Sequence, residues 1–290
     1  MIDFMRYRLL YFTLSLLVLL PGLLALGRWG LRPAIDFTGG TRWEIKTDLQ
    51  AEQLRQSLQS EPDLAAKLHQ IEGTNQGTLI LKLAPLNEKE KERFWNLWQK
   101  QGELEEVSFE SVGAILGREL LVKTVLGILL ATGLILLYVA WRFQELMYGV
   151  CAILAMLHDT FIVLGIFALL GHFAGVEVDT LFVTAVLTVL SFSVHDTVVV
   201  YDRIRELKRL FPRQGFTTLV NQAVNETLPR SLNNSLTIIF MLLALLLLGG
   251  SSLRWFVVAL LIGTIAGTYS STFTAAPLLV VWYNRRGKSK

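Results

Sequence analysis

Six apolar runs, each long enough to cross a bilayer as a helix, constrain this chain more than any other feature. A hydrocarbon core of about 30 Å needs about 20 helical residues, and inside it only helices and closed barrels satisfy their own backbone. The runs fall at 9–27, 119–140, 147–172, 178–201, 231–250 and 255–283. A composition of 52% hydrophobic and 18% charged residues, with a mean hydropathy of +0.48, agrees with a multi-pass membrane protein and not with a two-domain soluble one. The first run follows Arg6 and Arg8 and ends near Ala25-Leu26-Gly27, much as a secretory signal does. Its 19 residues exceed the roughly 7–15 of a signal core, so an uncleaved span is expected, with Pro21 and Gly22 breaking or kinking its outer part.

The charges are unevenly spread. Residues 28–118 hold 12 Lys and Arg and 14 Asp and Glu, against 15 and 10 in the other 199 residues. One polar domain is therefore inserted between the first two spans. In the tails and loops outside it, Lys and Arg lie in 1–8 (two), 141–146 (Arg142), 202–230 (six) and 284–290 (four), whereas the opposite loops 173–177 and 251–254 carry only Arg254. Cationic loops stay in the cytoplasm, so both termini are expected inside and the polar domain outside. The expected organisation is a cytoplasmic tail and span 1 over 1–27, an extracytoplasmic domain over 28–118, spans 2–6 over 119–283 and a basic tail over 284–290. Trp29, Trp141, Tyr148, Tyr201, Trp255 and Trp282 fall at span ends, where interfacial aromatics belong.

Within 28–118 the apolar period alternates. Ile35–Thr47 becomes extended after Gly39-Gly40, Leu54 and Leu58 mark a helix over 49–59, and Thr78–Leu83 reads as a strand. Glu88–Gln101 is amphipathic with Phe94, Leu97 and Trp98 on one face, and Val107–Val112 returns to strand character. The predicted order is β-α-β-α-β, two helices on one face of a small sheet. The fold class is thus a membrane all-α six-helix bundle carrying an inserted small α+β module of ferredoxin-like type.

Two carboxylates lie inside the spans, where a charge costs roughly 2.5–3.5 kcal/mol even on the insertion scale. Asp159 is 12 residues into span 3, near mid-depth, and Asp196 is 18 residues into span 4, in its cytoplasmic half. Thr184, Thr188, Ser191 and His195 form a polar stripe leading to Asp196, which is expected to face protein or water. Asp196 reads either as a paired or protonated packing residue or as a group that binds and releases a proton, and the second reading is the default for an intramembrane carboxylate. Arg230, at the entrance of span 5, is a candidate cation for it or an interfacial anchor. Asp159 reads as a further proton-handling group or a helix-packing hydrogen bonder. His195 lies about 100° around the helix from Asp196, which disfavours a fixed relay between them.

Gly263, Gly267 and Ser271 step by four along span 6 and favour close helix packing. That span is long for a perpendicular crossing and is expected to tilt or protrude. Asp202–Arg213 extends span 4 as a basic amphipathic segment suited to a lipid surface or a cytoplasmic partner. The chain carries no HExxH, GxSxG or P-loop, and its single cysteine, Cys151, forms no internal disulfide or Cys-based metal cluster. Neither an enzyme activity nor a cofactor is expected, and a net charge of +3 is too small to point to nucleic acid.

Ala34-Ile-Asp-Phe-Thr-Gly-Gly40, Leu157-His-Asp-Thr160 and Ser193-Val-His-Asp-Thr-Val-Val-Val-Tyr-Asp-Arg-Ile-Arg-Glu206 together resemble the SecF family of Sec translocase accessory subunits. Asn225-Glu-Thr-Leu-Pro-Arg-Ser231 resembles the start of that family's fifth span, and Gly263-Thr-Ile-Ala-Gly-Thr-Tyr-Ser-Ser271 its sixth span. The resemblance covers nearly the whole chain. It implies one six-span half of a resistance-nodulation-division assembly, with SecD as the other half. The SecYEG channel, YajC and preproteins are the further partners implied, in the bacterial cytoplasmic (inner) membrane. It also implies use of the proton-motive force, with Asp196 as proton-pathway carboxylate, Arg230 as its arginine, H⁺ as coupling ion and Na⁺ as the alternative. Asp36, Gly39, Gly40, Asp202, Arg203 and Arg205 are signature positions, and a Gly-Gly turn entering a strand is the ordinary reading of the first three. Two departures stand out: His195 where the family usually has Asn, and Ala114 where a proline is common. The rival readings are a non-energised scaffold of the same complex and half of a small-molecule exporter of the same superfamily.

Overall fold

The computed structural model describes residues 2–73, 77–143 and 145–287. It divides into two compact units: Pro33–Leu126, and the segments up to Arg32 and from Gly127 onward.

In the second of these, a short 3₁₀ turn at Phe4–Tyr7 leads into α1 (Arg8–Trp29). Pro21 does not break α1, which runs through it, and Gly22 instead meets Gly165 of a neighbouring helix. A Cβ on Gly22 would lie 2.9 Å from the Gly165 Cα, so the two glycines let the backbones touch. A proline forfeits a single helix hydrogen bond, a loss that neighbouring helices absorb inside a bilayer.

The polar unit begins with a single helical turn, α2 (Ile35–Thr38), followed by β1 (Gly40–Thr47), α3 (Ala51–Ser57) and α4 (Pro62–Ala65). Then come β2 (Leu68–Gly73), β3 (Thr78–Leu83), α5 (Glu88–Gln99) and β4 (Leu104–Val112). The strands form one antiparallel sheet in the order β2-β3-β1-β4, with Trp43 opposite Leu81 on one side and Phe109 on the other. This is the ferredoxin-like β-α-β-β-α-β arrangement, one strand richer than the expected β-α-β-α-β. The missing strand, β2, lies at the sheet edge with its side chains mostly half-buried or exposed, so it carries little of the apolar alternation that marks a strand. The core is built from Trp43, Ile45, Leu81 and Leu83 of the sheet against Leu54, Phe94 and Trp98 of the helices. Asn87 starts α5 with a capping box shared with Glu90.

The remaining helices are α6 (Ala114–Arg142), α7 (Leu146–Ala174), α8 (Thr180–Leu210), α9 (Phe216–Leu248), α10 (Arg254–Ser270) and α11 (Ala276–Gly287). A π-helical turn at Ser271–Ala275 joins the last two into one long element. Among the described residues, six helices are thus long and apolar enough to span a membrane. α8 and α9 each extend well past an apolar span, and the N-terminal segment is tied to the polar part of α9. Asn225 accepts from the Ile2 amide at 3.0 Å and Asn221 from the Phe4 amide at 2.8 Å.

Two of the expected interfacial aromatics are core residues instead. Tyr148 and Tyr201 are fully buried and pack edge-on against each other beside Phe143. Tyr201 finds its polar partner inside the protein, donating to the Ala275 carbonyl at 2.9 Å in the π-helical turn. Trp29 and Trp141 are exposed, as an interfacial role requires.

Candidate functional site

The two intramembrane carboxylates hold different company. Asp159, on α7, is fully buried; its Oδ1 lies 3.0 Å from His158 Nδ1, and its Oδ2 accepts from Ser270 Oγ of α10 at 2.5 Å. The approach of α10 depends on small residues. A Cβ on Gly263 would lie 2.0 Å from a Val189 methyl of α8, and one on Gly267 would contact both Ser193 and Asp159. Asp196, on α8, is half-buried, and its Oδ2 accepts from Ser231 Oγ of α9 at 2.9 Å. Ser235 of α9 accepts in turn from Thr268 of α10 at 2.6 Å.

Ser193 and Thr197 flank Asp196 on α8, one turn apart. Both are fully buried, and neither hydroxyl has a partner among the described residues. A band of hydroxyls and two carboxylates therefore crosses the packed faces of α7, α8, α9 and α10. Such a band is costly unless hydrated or titrating, because buried polar groups are ordinarily paired.

Several predicted residues stand apart from this band. Arg230 is exposed and makes no hydrogen bond or ion pair among the described residues. Successive residues are about 100° apart around a helix, so Ser231 faces Asp196 and Arg230 does not. His195 is likewise exposed and makes no bond to Asp196; it lines a recess of about 330 Å³ with Leu134, Tyr138, Ser191 and Val198. Of the stripe of Thr184, Thr188, Ser191 and His195, Thr188 is half-buried and the other three are exposed. Thr184 and Thr188 satisfy their hydroxyls on carbonyls one turn back, those of Thr180 and Thr184. The stripe that does meet protein is Ser193–Thr197.

Ser231, Ser270 and His158 were missed as partners of the carboxylates. Each lay within a quoted motif, but serine and histidine in a span carry no period of their own, and contact between helices decides which of them matters. Among the described residues no group of three or more His, Cys, Asp or Glu side chains stands together.

The signature positions have structural tasks. Asp36 lies in α2, and Gly39 adopts a φ of +75° that favours glycine. A Cβ there would also lie 2.6 Å from the Ala114 Cα, so the Gly39 turn abuts the first turn of α6. Ala114 is the first residue of that helix, a position where proline and alanine are both accommodated. Asp202 pairs with Arg142, while Arg203 reaches Glu226 and Glu206 at 2.5 Å each; Arg205 is half-buried. These pairs tie the polar extensions of α8 and α9 to each other and to the end of α6.

Comparison with known proteins agrees with this geometry. Residues 95–285 match the model of "Protein export membrane protein SecD/SecF, C-terminal". Protein translocase subunit SecF of Thermobaculum terrenum is 44% identical, the match covering 98% of this chain and 95% of that protein. SecDF of Thermus thermophilus is 38% identical over 89% of this chain. The crystal structure of SecDF, a translocon-associated membrane protein from Thermus, superposes with a TM-score of 0.85 and 35% identity over 98% of this chain. This chain spans 39% of that longer one. A multi-pass membrane protein with this inserted ferredoxin-like module, these two intramembrane carboxylates and these relatives belongs to the SecD/SecF family, as a protein translocase subunit of SecF type.

Proposed function

We propose that this chain, joined to a SecD half, uses the proton-motive force to promote preprotein export through a SecYEG channel, with YajC as a further partner. Both termini lie in the cytoplasm of the cell and the ferredoxin-like unit outside its inner membrane. The observation that carries the reading is the setting of Asp196: a half-buried carboxylate in a transmembrane helix whose one hydrogen bond among the described residues comes from Ser231. The unpartnered hydroxyls of Ser193 and Thr197 beside it are positions for water that conducts a proton. Burial favours the neutral form of a carboxyl group and a nearby cation its ionised form. Exchange of Ser231 for Arg230 opposite Asp196, through a turn of α9 or a swing of the Arg230 side chain, therefore alternates proton binding with release. Each charge crossing the membrane potential supplies about 2.3 kcal/mol per 100 mV, enough to bias a two-state motion of the outer unit.

The test is preprotein translocation in vesicles containing this chain, its SecD half and the channel, with Asp196→Asn compared with wild type at matched assembly. Loss of the gradient-dependent component is expected. Wild-type translocation by the variant would make the chain a scaffold and Asp196 a packing residue.

A further inference from the structure

The helix α9, Phe216–Leu248, is continuous, but its two ends are held very differently. Before Pro229, the side chains of Phe216, Leu219, Val220, Ala223, Val224 and Thr227 are buried, the first five of them in one apolar core. Beyond Pro229, Ser231, Ser235 and Leu242 alone are buried, and Leu232, Leu236, Phe240, Leu247 and Leu248 are exposed.

Polar contacts follow the same division. Asn225 accepts from the Ile2 amide at 3.0 Å and donates to the Ile2 carbonyl at 2.8 Å, while Asn221 accepts from the Phe4 amide at 2.8 Å. Phe4 and Met5, beside these bonds, are buried. Glu226 accepts from Arg203 of α8 at 2.5 Å. Residues 216–228 are thereby clamped both to the segment ahead of α1 and to α8. Residues 230–248 are tied to their neighbours by two serine hydroxyls, Ser231 donating to Asp196 and Ser235 accepting from Thr268.

Pro229 stands where the two stretches meet. It has no N–H to give to the Asn225 carbonyl, and its ring crowds that carbonyl, so the turn 225–229 lacks the bond that stiffens the rest of the helix. Pro229 and Arg230 are both exposed in this chain. Pro21 of α1 differs, because Gly22 beside it is pressed on Gly165 and holds that helix in place. Helices bend sharply at proline, and here nothing comparable braces the turn.

Resting on the proton-driven reading above, we propose that Pro229 is the hinge of α9: residues 216–228 stay fixed while 230–248 swing about the open turn, carrying Ser231 to and from Asp196. The swing that withdraws Ser231 leaves its place beside Asp196 to the Arg230 guanidinium, which has no hydrogen bond or ion pair among the described residues. Pro229 is thus a positioning residue, acting through Ser231 and Arg230. The seven residues from Asn225 to Ser231 then hold, in order, a clamp, a hinge, a cation and the hydroxyl that the cation replaces.

Two measurements on the assembled complex in vesicles test it. A bend of about 20° moves Leu247, 18 residues or about 27 Å beyond the hinge, by about 9 Å. Spin labels at Leu247→Cys and Phe173→Cys, exposed positions on α9 and α7, report that displacement as a distance distribution. The distribution is expected to be broad in the otherwise wild-type chain and narrow when Pro229→Ala is added. Equally narrow distributions overturn the hinge, whatever Asp196→Asn does to translocation. The second measurement compares gradient-dependent translocation in Pro229→Ala and Pro229→Gly. Alanine supplies the missing N–H and stiffens the turn, so a loss of about tenfold or more is expected with no fall in thermal midpoint. Glycine restores flexibility without the ring and is expected to keep most of the translocation. Wild-type translocation by Pro229→Ala, or an equal loss in Pro229→Gly, overturns the proposal. Should Asp196→Asn leave gradient dependence intact, the proton-driven reading falls, while the distance distributions still decide whether α9 bends at Pro229.

Discussion

At the scale of single residues, the most exacting contact is Gly263 against Val189. Any side chain at 263 places its first carbon 2.0 Å from a methyl group, so α10 must withdraw from α8. Overpacking of this kind costs about 1–3 kcal/mol. Gly263→Ala is expected to lower the thermal midpoint of the purified protein, and adding Val189→Ala, which removes the two nearest methyls, to restore part of it; a double variant no more stable than the single one contradicts the contact. The four-residue step of Gly263, Gly267 and Ser271 was legible as a packing face. Its partner was not, because spacing along one helix says nothing about which neighbour lies opposite. The carboxylates show the same limit. Their place within apolar helices followed from the apolar runs, but Ser231, and not Arg230, faces Asp196, a matter of helix rotation that a one-residue difference decides.

At the scale of elements, the ferredoxin-like unit carries ion pairs that join its helices to its loops. The Lys67 ammonium, with help from the Asn87 amide, holds the Glu90 carboxyl below the usual carboxylate range. A carboxylate whose folded pKa is lowered adds stability above its unfolded value of about 4.3, and that stability is lost as pH falls through the folded value. Lys67→Met is therefore expected to loosen residues 62–99 near neutral pH, with the gap from wild type closing below about pH 4. Hydrogen exchange in this segment at several pH values reads this directly, and a gap that persists in acid argues against the pair as its source. The strands and helices of the unit were legible where apolar residues alternate or repeat, as at Thr78–Leu83 and around Phe94 and Trp98. The edge strand β2 was not, since an edge needs few apolar side chains.

Across the whole molecule, the polar extensions of α8 and α9 are held by Arg203 between Glu226 and Glu206. Exposed pairs are commonly worth about 0.2–1 kcal/mol, but reversal at Arg203 would gather three carboxylates. Arg203→Glu and Glu226→Arg are each expected to lower the thermal midpoint of the assembled complex, and the double swap to recover part of the loss; additive losses would show that the two residues do not interact there. The sequence by itself determined the number of apolar spans, the inserted α+β module and the place of both carboxylates within apolar helices, because hydropathy and apolar period are properties of the chain read one residue at a time. Only the tertiary structure decided that Tyr148 and Tyr201 are core residues and that Thr184, Ser191 and His195 of the polar stripe are exposed. It alone placed Ser231, Ser270 and His158 as the partners of the carboxylates, because those outcomes depend on helix rotation and on which backbones glycine allows to touch.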